Sequence, residues 1–155
     1  MFHTIVWATD GSEQAARALP FAKALTASDG ADLVVLHVNQ LMTGRGGGYP
    51  MYADEPETRE KLRGAVDELR VEGFDARLEI ATCATTSVGE TIASAAREAG
   101  ADLIVTGTHG RGAIGTALLG SVTKKLIHFA SCPVLAIPVT HLPAASREER
   151  AEAVV

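Results

Sequence analysis

Cysteine is scarce in this chain of 155 residues, which contains only Cys83 and Cys132. The two lie far apart, and neither belongs to a Cys-x-x-Cys pair or to a Cys/His spacing of the kind that holds zinc. The pattern therefore argues against a zinc site. It predicts reduced thiols, each packed as a small apolar side chain.

A surplus of positive charge is also missing. The chain has 14 Lys and Arg against 19 Asp and Glu, for a formal net charge of -5. Proteins that bind nucleic acid depend mainly on a basic surface that neutralises phosphates, so this balance argues against nucleic acid as a partner. A small anion needs only a local basic pocket, and the net charge does not exclude it.

Long hydrophobic runs are absent as well. No apolar stretch approaches the roughly 18 residues that a membrane span requires. The opening segment MFHTIVWATDGS has neither the basic residues nor the cleavage site of a signal peptide. We therefore expect no membrane insertion and a cytoplasmic location. Hydrophobic residues make up 46% and charged residues 21% of the chain, which is ordinary for a globular domain.

Five short apolar runs are present, separated by longer segments with a helical period. The runs are HTIVWAT, ADLVVLHV, DARLEIA, ADLIVTG and CPVLAIPV, and continuous apolar runs of this length indicate strands covered on both faces. One helix is expected between Glu13 and Ser28, and the last helix has an apolar stripe of Ile114, Leu118, Val122 and Phe129. Strict alternation of strand and helix predicts a doubly wound α/β fold, with a parallel sheet and helices on both faces.

Two segments fall outside this alternation. Residues 39–56, NQLMTGRGGGYPMYADEP, are glycine-rich and long for a connection, which predicts a flexible loop, with a lid as the alternative. Residues 141–155 have no strong core stripe and are expected to form a frayed tail. The predicted domain therefore covers residues 1–140.

Two nucleotide-binding motifs are nearly matched, and both fail. GRGAIG, residues 110–115, fits G-x-G-x-x-G, but it stands in the last βα unit, and no acidic residue occurs between Lys124 and Thr140 to hold a ribose. This argues against NAD. GTALLGS has the glycine spacing of a Walker A loop, but Ser121 occupies the place of the required lysine. A P-loop is therefore excluded.

A third spacing is complete. Gly107, Gly110 and Gly120, followed by Ser121, give G-x2-G-x9-G-[ST] at the end of the fourth predicted strand. In this motif, in GTHGRGAIGTALLGSVTKKLIHFASCPVLAIP and in the opening IVWATDGSEQAARAL, the chain resembles the universal stress protein family, in the subgroup that binds ATP. The resemblance covers nearly the whole chain. It implies a flavodoxin-like, Rossmann-related domain whose five parallel strands, counted along the chain, lie in the order 3-2-1-4-5.

The glycine spacing also has a physical rationale. A glycine at a strand end has no Cβ and can adopt a positive φ, so that nearby backbone amides can turn toward an anion. The amides so placed are those of Gly110, Arg111 and Gly112. Gly120 permits close approach at the start of the next helix, where the dipole favours negative charge. Amides and hydroxyls there are expected to hold phosphates, and they belong to Ser121, Val122 and Thr123.

Residues after the first two strands complete the predicted site. Asp10 and Glu13 fit a D-x-x-E capping box, which would explain Asp10 on structural grounds. The resemblance implies instead that Asp10 faces the nucleoside, and both roles stay open. The resemblance also implies that Ala8 and Thr9 line the adenine and ribose pocket. Val38, at the end of the second strand, would offer backbone hydrogen bonds to the adenine edge.

The loop after the fourth strand supplies further candidates. Arg111 is a candidate phosphate contact because a guanidinium suits phosphate oxygens. His109 is a loop residue whose phosphate contact stays open. Gly107 opens the motif at the end of the strand.

Binding is favoured over catalysis. The loop GTHGRGAIG contains no carboxylate to hold magnesium or position water, and no nucleophile is paired with a base in the sequence. The resemblance implies a stress-response protein that binds ATP, with or without Mg²⁺, and regulates a partner. The alternatives are a slow Mg²⁺-dependent ATPase, an autophosphorylating enzyme with Ser121 or Thr123 as acceptor, or a binder of AMP or cyclic AMP.

The last strand bears on assembly. Pro133 and Pro138 stand in the run CPVLAIPV, and proline within a strand indicates a sheet edge. An uncovered apolar edge favours pairing with another chain. The resemblance implies a homodimer through the last strand, from Pro133 to Val139. A further protein partner is possible in the family but unidentified by this sequence.

Overall fold

The structure is a computed structural model that describes residues 1–42, 51–52, 56–83, 87–109 and 119–138. Strands and helices alternate along the chain, as the apolar runs predict. The elements in order are β1 Thr4–Ala8, α1 Glu13–Ala16, α2 Leu19–Asp29, β2 Asp32–Met42, β3 Met51–Tyr52, α3 Pro56–Val71, β4 Ala76–Cys83, α4 Val88–Glu98, β5 Leu103–Gly107, α5 Ser121–Phe129 and β6 Val134–Ile137.

Five of the strands form a parallel sheet in the order β4-β2-β1-β5-β6. Counted along the chain without the short β3, this is the order 3-2-1-4-5, and the predicted doubly wound, flavodoxin-like fold is confirmed. β1 lies at the centre, with Ala8 opposite Leu36 of β2 on one side and Thr106 of β5 on the other. The carboxyl ends of β1 and β5 therefore lie side by side at one edge of the sheet, and β2 continues past them to Met42.

Each face of the sheet has its own core. Successive side chains of a strand point to opposite faces, so Ile5 and Trp7 pack with α2 and α3, whereas Val6 and Ala8 pack with α4 and α5. Full burial of one large apolar side chain contributes roughly 1.5–3 kcal/mol. The continuous apolar runs follow from this two-sided burial.

The helix predicted between Glu13 and Ser28 is interrupted. α1 ends at Ala16, and α2 begins at Leu19 with Pro20 in its first turn. Proline lacks the amide that a helix interior uses but suits a first turn, where that amide has no partner. The indole Nε1 of Trp7 donates to the Ala15 carbonyl at 3.3 Å and holds α1 against β1.

The loop predicted over residues 39–56 begins too early. β2 continues through Asn39 to Met42, pairs with β4 as far as Gln40, and then pairs antiparallel with β3. Pairing with two neighbours stabilises strand structure where glycine content alone predicts a loop. Residues 43–50 and 53–55, and the predicted tail 141–155, lie outside the described residues.

α5 presents a different face to the sheet from the one predicted. It buries Thr123 and Leu126, while Val122 is 40% and Phe129 is 46% exposed. The expected burial of Val122 and Phe129 was wrong because the period was counted from residue 114, whereas this helix begins at Ser121. Ile114 and Leu118 of the predicted stripe lie outside the described residues. The outer side of α5 is therefore partly apolar.

Neither cysteine is in a disulfide. Cys83 is buried at the end of β4, and Cys132 is half-buried in the core beside α4 and α5. Burial, and secondarily the charge of Asp102, raise the pKa of the Cys132 thiol. Within the described residues, no helix combines the length and apolar composition needed to cross a membrane.

Candidate functional site

The loop after β1 is fixed to β2 by backbone and side-chain hydrogen bonds. The Thr9 amide donates to the Leu36 carbonyl at 2.9 Å, and the Thr9 carbonyl lies 2.9 Å from Nδ1 of His37. Thr9 and His37 are both buried, as is Ala8 at the end of the strand. The chain therefore leaves β1 along a defined path, with Asp10 as the first partly exposed residue.

Asp10 does not cap a helix through the predicted box with Glu13. The residue at the N-cap of α1 is Ser12, whose Oγ accepts from the Ala15 amide at 3.2 Å. Oδ1 of Asp10 accepts from the Ser12 amide at 2.9 Å, which is an Asx turn. The helix begins later than the box requires, so the half-buried Asp10 orders the loop before the helix.

Gly11, in this loop, and Lys61, which reaches it from α3, were missed. Gly11 has a φ of +77°, a conformation that glycine adopts without a steric penalty. Its carbonyl accepts from Nζ of Lys61, on α3, at 2.8 Å. The turn signal Asp-Gly-Ser could have identified Gly11, but nothing in the sequence indicates that Lys61 reaches it.

Val38 was expected at the end of β2. It lies beyond the end of β1, but β2 continues past it to Met42. The Leu36 carbonyl accepts from Thr9 on the β1 side. Backbone groups of successive residues in a strand point alternately to its two sides, so Val38, like Leu36, directs its amide and carbonyl toward the β1 side. At the level of Val38, β1 has already ended. This geometry suits in-plane hydrogen bonds to the edge of a planar ring. Next to it, Asn39 is buried, and its Oδ1 has no hydrogen bond within the described residues.

Gly107 and Gly120 both permit close approach. A Cβ on Gly107 would lie 3.2 Å from the His109 carbonyl oxygen and 3.4 Å from the Gln14 carbonyl oxygen of α1. A Cβ on Gly120 would lie 2.9 Å from the Thr108 carbonyl oxygen, which accepts from the Gly120 amide at 2.9 Å. Neither glycine has a positive φ, so packing rather than backbone conformation requires glycine here.

Thr123 fastens α5 to the end of β5. Its buried hydroxyl donates to the carbonyls of Gly107 and Thr108, at 3.2 and 3.3 Å. The hydroxyl therefore points toward the strand end, contrary to the expectation that it faces an anion. Its contribution is to hold the start of the helix at a fixed position.

Within the described part of the chain, no side chain caps the amino end of α5. Gly120 is the N-cap residue, and the first turn contains no acidic residue. The first hydrogen bond inside the helix runs from the Lys124 amide to the Gly120 carbonyl at 3.0 Å. The preceding amides, which no intrahelical carbonyl can reach, present the positive end of the helix dipole. They belong to Ser121, Val122 and Thr123.

His109 lies beside this helix end. Its Nδ1 is 3.1 Å from Oγ1 of Thr108, and its ring is the nearest side chain to the position of a Cβ on Gly120. The Nε2 atom is buried and has no partner within the described residues. A buried polar nitrogen without a partner is costly, and an anionic ligand at the helix end would supply one. Gly110, Arg111 and Gly112 lie outside the described residues.

The structure thus brings the predicted residues of two loops together. β1 and β5 are neighbours, and α1 packs against Gly107, so the Asp10 loop and the start of α5 lie at the same edge of the sheet. Among the described residues, no group of three His, Cys, Asp or Glu side chains could hold a metal ion.

The fold defines a doubly wound α/β protein, a class that binds its ligands at the carboxyl ends of the parallel strands. The chain belongs to the universal stress protein family, whose sequence profile matches residues 1–138.

Individual relatives agree with this assignment. A universal stress protein of Thermus aquaticus is 37% identical over 143 residues, which cover 88% of this chain and 99% of that protein. Universal stress protein MJ0577 of Methanocaldococcus jannaschii has a solved structure that is 26% identical, with a TM-score of 0.71 over 89% of this chain and 96% of that one. A universal stress protein of Archaeoglobus fulgidus, solved in complex with dAMP, is 25% identical, with a TM-score of 0.60 over 88% of this chain and 98% of that one.

Proposed function

We propose that this protein is a cytoplasmic stress-response protein that binds ATP at the carboxyl ends of its parallel strands and regulates a partner according to nucleotide occupancy. The observation that carries the proposal is the start of α5, held at the end of β5 beside His109. Among the described residues, no side chain caps this helix end and none pairs with Nε2 of His109. The complex of the Archaeoglobus fulgidus relative with dAMP supports a nucleotide as the ligand class.

Each part of the ligand has a matching part of the site. The backbone of Val38 faces the adenine edge, and the Asp10 carboxylate accepts from the ribose hydroxyls. Ala8 and Thr9 form the floor between them, beside β2. The phosphates lie on the helix dipole of α5 and on the loop that follows β5. The phosphate-binding residues are Gly107, His109, Gly110, Arg111, Gly112, Gly120, Ser121, Val122 and Thr123.

Binding without rapid turnover is the favoured activity. Phosphoryl transfer needs a magnesium-binding acid and a group that positions the nucleophile. Asp10 is the acid in the loop after β1, on the nucleoside side of the proposed site. In the alternative, a slow Mg²⁺-dependent ATPase or autophosphorylating enzyme, Ser121 is the better acceptor. Ser121 is exposed, whereas the Thr123 hydroxyl is engaged by two carbonyls.

Calorimetric titration of the purified, nucleotide-stripped protein tests the proposal. We expect ATP to bind with a dissociation constant on the order of micromolar, and ADP, AMP and adenosine to bind progressively more weakly as phosphates are removed. Parallel titrations with cyclic AMP and with Mg²⁺ rank the alternatives. Equal affinity for adenosine and ATP would contradict phosphate binding at α5, and hydrolysis that requires Mg²⁺ and disappears in Asp10→Ala would favour the enzyme.

A homodimer through β6 is the proposed assembly. β6 is the edge strand of the described sheet, beside β5, and its four residues are all half-buried. Pro133 and Pro138 flank this strand instead of interrupting it, so its interior remains available for pairing. Light scattering of the gel-filtered protein is expected to give twice the chain mass of 16.2 kDa. A stable monomer at micromolar concentration would contradict the proposal.

A further inference from the structure

We infer that Gly89, on α4, positions the amino end of α5 for phosphate binding, an inference that rests on the nucleotide binding proposed above. Gly89 is buried in the first turn of α4. A Cβ there would lie 2.5 Å from the Val122 carbonyl oxygen, 2.8 Å from the Leu126 amide nitrogen and 2.8 Å from Cβ of Lys125. Two of these atoms belong to the backbone of α5 and cannot rotate away, so the two helices cross in direct contact.

The α4 side of this crossing is fixed in position. Ser87 and Glu90 form a capping box, in which the Ser87 amide donates to Oε2 of Glu90 at 3.0 Å and the Glu90 amide donates to Oγ of Ser87 at 3.3 Å. The hydrogen bonds from the Ser87 amide and hydroxyl lower the pKa of the Glu90 carboxyl, and the charges of Lys125 and His128 on α5 add to the effect. The first turn of α4 is therefore ordered around Gly89.

The opposite side of α5 is fixed as well. The Gly120 amide and the Thr123 hydroxyl hold the start of the helix on the Thr108 carbonyl. The first two turns of α5 thus lie between the end of β5 and the first turn of α4. A side chain at position 89 must push α5 along or away from the strand end, because neither neighbour offers space. The amides of Ser121 and Val122 would then move relative to His109.

Gly89 differs from a glycine that only improves packing. A substitution there should lower only the part of the ATP affinity that the phosphates contribute. The adenosine part of the ligand is assigned to Asp10 and Val38, on the loops after β1 and β2. A displaced α5 therefore leaves adenosine binding intact and removes the additional affinity that phosphates supply. Gly64 in α3 offers a matched control, since a Cβ there would meet nothing within 4 Å.

The experiment compares Gly89→Ala with Gly64→Ala by titrating each with ATP and with adenosine. Because the loss of one hydrogen bond to a charged group lowers affinity about tenfold or more, we expect Gly89→Ala to weaken ATP binding about tenfold or more. Its affinity for adenosine should stay within about twofold of wild type, and Gly64→Ala should change neither. Amide NMR of the nucleotide-free proteins should show displaced Ser121–Thr123 resonances in Gly89→Ala alone.

The outcomes separate the inference from the proposed function. If wild type binds ATP no better than adenosine, the proposed function fails. The inference is overturned if wild type binds ATP more tightly than adenosine and Gly89→Ala keeps the same ratio of affinities. It is also overturned if the variant loses affinity for ATP and for adenosine equally. Should the variant unfold, the titrations are repeated in trimethylamine N-oxide, which favours the folded state. Failure to fold there also overturns the inference, in favour of a purely structural role.

Discussion

Replacing Gly120 with alanine is expected to weaken ATP binding about a hundredfold, because hydrogen bonds to a charged group contribute roughly 1.5–3 kcal/mol each. The new Cβ would lie 2.9 Å from the Thr108 carbonyl oxygen, the same atom that accepts from the Gly120 amide. A backbone oxygen cannot turn aside, so the hydrogen bond must lengthen and the helix start must move. The amides at the start of α5 and the ring of His109 would then no longer face one ligand together. Calorimetric titration with ATP measures the loss.

Two controls make this result specific. Gly64→Ala adds the same methyl group to a helix with open space around it and should leave the affinity for ATP unchanged. Adenosine should bind Gly120→Ala nearly as well as wild type, because the nucleoside is assigned to the loops after β1 and β2. Full ATP affinity in Gly120→Ala would mean that the helix end does not hold the phosphates.

Replacing Leu126 with alanine should strongly lower the stability of the fold. Leu126 is 0% exposed and lies in the core between α4, α5 and the sheet. Its truncation removes buried apolar contacts and leaves a cavity, which costs about 2–5 kcal/mol. That is a large share of the free energy of unfolding of a domain, typically about 5–15 kcal/mol. Urea unfolding, followed by circular dichroism, measures the difference.

The neighbouring residue provides the matched control. Ile127 is 48% exposed on the same helix, and surface substitutions of this kind usually change stability by no more than about 0.5 kcal/mol. A loss in Leu126→Ala no larger than that in Ile127→Ala would contradict the packing of α5 described here.

Saturating ATP, at about a hundred times its dissociation constant, should add about 2.7 kcal/mol to the stability of wild type.

Patterns over short stretches of sequence were reliable where local chemistry decides the structure. The five apolar runs became strands because both faces of the sheet are covered, and the strand order followed from the family resemblance. The glycine spacing marked the end of β5 and the start of α5. Predictions that extended one helical period over residues where a helix is interrupted or has not yet begun failed. Pro20 lies in the first turn of a new helix, and α5 buries Thr123 and Leu126 in place of Val122 and Phe129.

The amino-acid sequence by itself determined the class of fold and the family of this protein, and it located the glycine motif, because those depend on residue types at short, regular spacings. Tertiary structure alone decided which groups meet. Lys61 reaches the Gly11 carbonyl across 50 residues of chain, and Gly89 receives the backbone of α5. The Thr123 hydroxyl turns inward to β5. Such contacts are set by the distance between elements that pack together from separate parts of the chain, and no local pattern in the sequence encodes that distance.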